Sequence, residues 1–143
     1  MRISILTTLT LTGIITGALT LGSVAEATRP KADPAARLAK LTDGRTAGTP
    51  VDCLPLRNIR SSQIISRTAI VYEGMNGTLY VNRPRSGASF LHDGQILVTD
   101  THSPDLCSID IVRLVDSASR MPSGSIGLGP FVPYPRVPRP AGR

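Results

Sequence analysis

Two short runs of β-branched and aromatic residues constrain the fold of this chain more than any other feature of its sequence. The runs cover Thr68–Glu73 and Thr78–Asn82, and the four residues between them end in Asn76 and Gly77. An Asn-Gly pair accepts the positive φ angles that a tight hairpin turn requires. The pattern therefore predicts a β-hairpin in which the two runs are the antiparallel strands.

Three further segments have the composition of short strands. Gln95–Thr99 and Ile109–Leu114 are rich in aliphatic residues, and Ser62–Ile65 is typical of an edge strand. With the hairpin they predict a mainly β domain over residues 51–120, built as a small antiparallel sheet or a partly open barrel of about five strands. Because the chain has no Trp and only three Tyr and two Phe, its core must consist mainly of Ile, Leu and Val.

A lead segment, residues 28–50, precedes this domain and contains one candidate helix. The helix is predicted over Asp33–Leu41, because its first residue can cap the free N–H groups and Pro34 suits the first helical position. Gly44 can end the helix in a left-handed conformation. A helix of two to three turns is marginal alone, so its two leucines are expected to dock on the domain.

The first 27 residues have the pattern of a secretory signal peptide. A positive start at Arg2 is followed by the uncharged apolar run Ile3–Leu21, and small residues follow at the positions that a signal peptidase reads. Cleavage is expected between Ala27 and Thr28, which predicts a periplasmic or secreted protein. The alternative is an uncleaved membrane anchor, since the apolar run is close to the length that spans a bilayer.

Cys53 and Cys107 are the two cysteines of the chain. In an oxidising compartment such a pair is expected to form a disulfide, and its position predicts that it ties the two ends of the sheet together. The cysteines form neither a C-x-x-C redox pair nor a recognisable zinc site. We therefore expect a structural bond that contributes about 4 kcal/mol.

The formal net charge of +6 is concentrated outside the predicted β domain. Residues 51–119 carry six Arg and seven acidic residues. By contrast, 28–50 carry five cations and two acids, and 120–143 carry four Arg and no acid. Basic flanks favour anionic surfaces, although they can also serve only as solvated linkers. The distribution predicts a non-enzymatic binding or structural module associated with the cell envelope.

Five arginines are the candidate contacts with such a partner. Arg83 and Arg85 flank a proline directly after the second hairpin strand, so both could reach one phosphate or carboxylate. Arg136, Arg139 and Arg143 lie in the C-terminal flank. The expected partner is an anionic envelope polymer or an envelope protein, with only peripheral contact to a membrane. Nucleic acid is not expected, because aromatic residues do not alternate with these cations.

The C-terminal segment, residues 121–143, is predicted to be a Gly/Pro-rich basic tail. Five of the eleven residues from Pro130 to Pro140 are proline, which excludes a helix or a central strand and favours extended polyproline II. Phe131 and Tyr134 are expected to pack this segment on the domain.

Four segments together resemble a family of small exported bacterial proteins of unknown function. They are Gly44–Cys53, Gly77–Pro84, Leu106–Asp110 and Gly129–Tyr134. The resemblance covers most of the chain after the predicted signal peptide. It implies a secreted or periplasmic location and a compact β-rich domain with a disulfide, and it implies no activity.

One group of residues supports an alternative function. His92 and Asp93 are followed after a predicted strand by Asp100, His102 and Asp105, and such side chains can bind a divalent metal or serve a small periplasmic hydrolase. The same residue types are common in loops, and Asp-Gly is a turn signal. We therefore expect neither a metal nor a cofactor. A protein inhibitor is a third alternative that the sequence leaves open.

Overall fold

The computed structural model describes residues 32–101 and 103–137. The predicted signal peptide (1–27), His102, Arg139 and Arg143 lie outside the described residues. Within the described ranges, no helix is long and apolar enough to cross a membrane.

One α-helix, nine strands and two 3₁₀ helices, Leu56–Asn58 and Ala88–Phe90, make up the regular structure of the described ranges. In chain order the α-helix and the strands are α1 (Pro34–Thr42), β1 (Cys53–Pro55), β2 (Ile59–Ile65), β3 (Ala69–Gly74), β4 (Leu79–Asn82), β5 (Gln95–Thr99), β6 (Asp105–Cys107), β7 (Ile111–Asp116), β8 (Pro122–Gly127) and β9 (Phe131–Tyr134).

The strands form three antiparallel sheets. The largest has the order β2-β3-β4-β9, a second has the order β5-β7-β8, and β1 pairs with β6. The two larger sheets meet on one side, where an isolated bridge joins Ser86, after β4, to Gly127 in β8. The prediction of a mainly β, antiparallel fold with a short N-terminal helix is therefore confirmed.

The predicted hairpin is β3 and β4. Its register pairs Tyr72 with Tyr80, and the turn closes through a hydrogen bond of 2.8 Å from the Gly74 N–H to the Thr78 carbonyl. Gly77 has a φ of +77°, which a residue with a side chain rarely adopts. The Asn-Gly pair thus fixes the register of the central strands.

β3 is buried on both faces, because its side chains point alternately into two hydrophobic clusters. Ile70 and Tyr72 point into the larger cluster, where the Tyr72 ring meets Phe131 edge to face at 5.7 Å between centroids. Val71, on the opposite face, packs with Val81 and with Leu38 of α1. The larger core also includes buried side chains from β7 and β8.

The predicted helix is α1, and it docks as expected. The Asp33 carboxylate accepts a hydrogen bond of 3.3 Å from the Ala36 N–H, and Gly44 has a φ of +69° just after the helix. Leu38 is buried against the outer face of the largest sheet, with Leu41 beside it. The helix is therefore a structural layer of the domain.

The predicted disulfide joins Cys53 in β1 to Cys107 in β6. The two residues are direct partners in the register, and the Ser108 N–H extends the pairing by donating to the Asp52 carbonyl at 2.7 Å. The bond therefore lies within its own two-stranded sheet. The predicted position, at the two ends of one larger sheet, is wrong because each cysteine lies inside a three-residue strand of this small sheet.

The predicted end of the β domain at residue 120 needs correction, because two strands lie beyond it. β8 pairs with β7, and β9 forms the edge of the largest sheet beside β4. Pro133 is tolerated in β9 because an edge strand has one side without ladder partners. The tail prediction is correct in excluding a central strand, but the prediction of about five strands omits β1, β6, β8 and β9.

The first prediction concerns the disulfide. Replacing Cys53 and Cys107 together by Ala should lower the free energy of unfolding by about 4 kcal/mol, because the unfolded chain regains the freedom of a long loop. Urea unfolding of the oxidised protein and the double variant measures the difference. Reductant should lower the midpoint of the wild type and leave the variant unchanged. Equal midpoints for the two proteins would contradict the prediction.

The second prediction concerns alkaline stability. Burial raises the pKa of the Tyr72 hydroxyl well above its ordinary value. The unfolded chain loses this proton near pH 10 and the folded chain keeps it, so the free energy of unfolding should fall as the pH rises above about 10. Tyr72→Phe should reduce this fall, whereas Tyr134→Phe is the matched control. Denaturant titrations at pH values below and above about 10 measure the fall in the free energy of unfolding. An identical pH dependence for the two variants would contradict the prediction.

Candidate functional site

Arg83 and Arg85 lie directly after β4, where the chain leaves the largest sheet. Both side chains are exposed, and Pro84 between them fixes one backbone dihedral of the segment. The structure thus keeps the two arginines together at one end of β4, as the sequence predicts. We call Arg83 and Arg85 the arginine pair.

The backbone of the arginine pair is attached to β8. The Arg85 N–H donates to the Gly127 carbonyl at 2.9 Å. Ser86 continues the contact, because its carbonyl accepts a hydrogen bond of 3.2 Å from the Gly127 N–H. These bonds hold the arginine pair at the junction between the two larger sheets.

A buried asparagine fixes the other side of the same segment. Asn82 has no exposed surface, and its amide group pairs with both backbone groups of Gly129. The Gly129 N–H donates to Asn82 Oδ1 at 3.2 Å, and Asn82 Nδ2 donates to the Gly129 carbonyl. A Cβ atom at residue 129 would collide with the Arg83 carbonyl oxygen, so this close packing requires glycine. The arginine pair therefore projects from a rigid backbone.

Among the described residues, the arginine pair has no nearby carboxylate, which it shares with Arg45, Arg57, Arg67, Arg120 and Arg136 but not with three other described arginines. Arg37, Arg60 and Arg113 each lie within 4 Å of a carboxylate. No carboxylate of the described residues lies within ion-pair distance of Arg83 or Arg85, and the sequence from residue 77 to residue 92 contains no acid. The positive charge of the pair is therefore uncompensated and available to an anion.

Arg136 lies away from the arginine pair. The antiparallel register places Asn82 opposite Phe131 and Leu79 opposite Tyr134, so Arg136 follows the opposite end of the β4–β9 ladder. About 13 Å of strand separates the two ends. The aliphatic part of Arg136 packs on the hairpin turn, where a Cβ atom at Gly77 would lie 3.0 Å from its Cδ atom. The five predicted arginines therefore do not form one cluster.

Arg45 lines the same part of the surface as Arg136. The sequence does not predict it as a site residue. Its Nη1 donates to the Gly77 carbonyl at 2.8 Å and to the Tyr134 carbonyl at 3.1 Å. Arg45 and Arg136 both line a shallow hollow of about 330 Å³, together with Asp43. The only sequence signal for Arg45 was the positive charge of the lead segment, because its contacts come from residues distant along the chain.

His92 and Asp100, the two described residues of the alternative enzyme hypothesis, lie far apart. His92 precedes β5 and Asp100 follows it, so about 17 Å of strand separates them. Both oxygens of Asp93 accept from Arg37 Nη1 at 2.9 Å, and Asp100 lies 3.9 Å from Arg113. In the part of the chain that the structure describes, which omits His102, no three His, Cys, Asp or Glu residues are placed to hold a metal ion.

Comparisons with known proteins found no relative of this chain. No protein-family model, no curated protein and no solved structure matches this chain. The resemblance to small exported bacterial proteins therefore stays a prediction. The site has to be interpreted from its own residues.

The third prediction concerns the buried asparagine. Asn82→Ala should lower the free energy of unfolding by about 2–4 kcal/mol, because the N–H and carbonyl groups of Gly129 would be left buried without partners. Denaturant unfolding measures the loss. Asn58→Ala, at an exposed position in the turn after β1, is the matched control and should change stability by less than about 0.5 kcal/mol. Equal effects at both positions would contradict the role of Asn82.

Proposed function

We propose that this protein is an exported, non-enzymatic module that binds an anionic polymer or an acidic protein of the cell envelope. The observation that carries the proposal is the arginine pair, which is exposed, has no carboxylate partner among the described residues and projects from a fixed backbone. Arginine suits this role because its planar guanidinium group binds phosphate and carboxylate through two parallel hydrogen bonds.

The rigid attachment of the arginine pair supports a binding role. A flexible basic tail loses conformational freedom when it binds, and that loss opposes binding. The bond from Arg85 to Gly127 and the bonds between Asn82 and Gly129 order the backbone on both sides of Arg83 before any partner arrives. An anion therefore meets two cations whose main-chain positions are already set.

The separation of the basic positions favours an extended partner. The arginine pair lies at one end of the β4–β9 ladder, and Arg45 and Arg136 lie at the other. A small anion reaches only one of these positions, whereas a polymer or an acidic protein surface can reach both. Arg139 and Arg143 follow Arg136 in the sequence and add two positive charges to the chain.

Export is part of the proposal and has separate support. The sequence begins with a signal-peptide pattern, and the Cys53–Cys107 bond is compatible with an oxidising compartment. Arg83, Arg85, Arg136, Arg139 and Arg143 are accordingly assigned to partner binding, without a metal, a cofactor or a catalytic residue.

The fourth prediction tests the arginine pair directly. In co-sedimentation with isolated envelope fractions, the double variant Arg83→Gln, Arg85→Gln should bind roughly 30-fold more weakly than the wild type, because each arginine contributes about 1 kcal/mol at an anionic surface. The matched control is Arg57→Gln, Arg120→Gln, which removes the same charge from two exposed arginines elsewhere. High salt should weaken wild-type binding as well.

Three results would contradict the proposal. Equal losses in both double variants would mean that net charge acts without a site. Undiminished binding of the Arg83→Gln, Arg85→Gln variant would remove the arginine pair from the interface. A wild type that fails to sediment with envelope fractions at low salt would remove the envelope partner itself.

A further inference from the structure

The two larger sheets meet on one side of the domain and leave an open groove on the other. β2 and β5 form the two walls of this groove, which encloses about 430 Å³. β2 contributes Ser62, Gln63 and Ile64, and β5 contributes Gln95, Ile96 and Leu97. We call this space the β2–β5 groove.

The backbone of both walls has unused hydrogen-bonding capacity. β2 pairs only with β3, and β5 pairs only with β7. Within residues 32–101 and 103–137, no backbone hydrogen bond joins β2 to β5. The edge N–H and C=O groups of two strands thus border the same groove, and such rows are templates for an additional strand.

The other edge strands of the two larger sheets, β9 and β8, are protected from pairing with an additional strand. β9 contains Pro133, whose carbonyl accepts a hydrogen bond from the Gly48 N–H, and Val51 bridges Phe131. β8 is bridged by Ser86. β5 contains no proline, no charged residue and no bulge, which are the devices that normally prevent an edge strand from pairing. The edge of β5 is therefore left open to a partner.

One end of the groove is closed by direct contacts. Arg37 of α1 binds the Asp93 carboxylate at 2.9 Å, and the Asp93 N–H donates to Ser66 Oγ at 3.1 Å. The Arg67 N–H donates to the Leu91 carbonyl at 3.0 Å. These bonds connect the end of β2 to the start of β5, so the two walls are fixed relative to each other.

The charges around the groove are balanced, which defines the chemistry of the occupant. The two charged residues that line it, Arg37 and Asp93, form an ion pair with each other at 2.9 Å. The lining side chains of β2 and β5 are uncharged. A charged occupant would lose water without gaining a partner, so charge complementarity selects an uncharged segment.

The side chains at the base of the groove select an apolar partner at alternate positions. Ile64 belongs to the large hydrophobic core, and Leu97 packs against it from β5. Alternate residues of an added strand would point toward these two side chains, and the residues between them would point to solvent.

We propose that the β2–β5 groove binds an extended, uncharged peptide segment of a partner protein, with apolar residues at alternate positions, which pairs with the open sheet edges as an additional strand. The segment spans about five residues, the length of β5. Backbone hydrogen bonds provide the affinity, and the alternate apolar residues provide the selectivity. This surface is separate from the arginine pair, and its binding is insensitive to salt.

The test uses the full disulfide-bonded chain and the capped peptide acetyl-Thr-Val-Thr-Val-Thr-amide. Amide hydrogen exchange and NMR shifts should show protection of β2 and β5 on binding, with the other strands unchanged. The same peptide with N-methyl groups on alternate amides keeps its side chains and loses hydrogen-bond donors, so it should bind at least tenfold more weakly.

Two protein variants locate the site. Ile96→Lys places a charge on the wall of the groove and should weaken peptide binding at least tenfold. Ile111→Lys is the matched control, because Ile111 is exposed on the same face of the same sheet but lies in the central strand β7. This control should bind the peptide as the wild type does.

Several outcomes would overturn the inference. Equal binding of the plain and the N-methylated peptide would exclude strand addition, and protection of other strands would place the peptide elsewhere. Protection of β2 and β5 that rises with protein concentration in the absence of peptide would show that a second copy of the chain occupies the groove. No change in any amide at saturating peptide would exclude the site.

Discussion

The burial of both faces of β3 is the constraint on which the other elements depend. Ile70 and Tyr72 need the second sheet to cover them, and Ala69 and Val71 need α1 on the opposite side. A strand covered in this way cannot be at the surface of the domain, so the helix and both larger sheets are required together. Residues 32–50 of the predicted lead segment are therefore part of the folded unit, because α1 packs into its core.

The candidate site depends on this core through a few polar contacts. Asn82 is the last residue of β4 and is fully buried, so its amide group can hold Gly129 only because the strand itself is fixed. The arginine pair begins one residue later, so the fixed position of Asn82 also restricts the backbone of Arg83. Arg136, by comparison, is positioned by packing on a turn, and its position depends on β9 remaining paired with β4.

The sequence predicted the parts of the fold whose local signals agree with their environment. The β3–β4 hairpin, β5 and β7 are β-branched or aliphatic, and the Asn-Gly turn is specific. β8 and β9 were not predicted because glycine and proline have low strand propensity, and pairing with neighbouring strands overrides that propensity here. The adjacency of Arg83 and Arg85 was readable from sequence. The presence of Arg45 and Arg136 in the same hollow was not, because it depends on contacts between distant segments.

The place of β9 in the core has a consequence for how the chain acquires its structure. Phe131 has no exposed surface and pairs with Asn82, so the centre of the core is completed by one of the last described segments. A polypeptide that emerges from a ribosome or a translocation channel from its N terminus cannot close this core until residue 134 has passed through. During that time its hydrophobic strands remain exposed to solvent, as they do in the incompletely folded states in which chains aggregate.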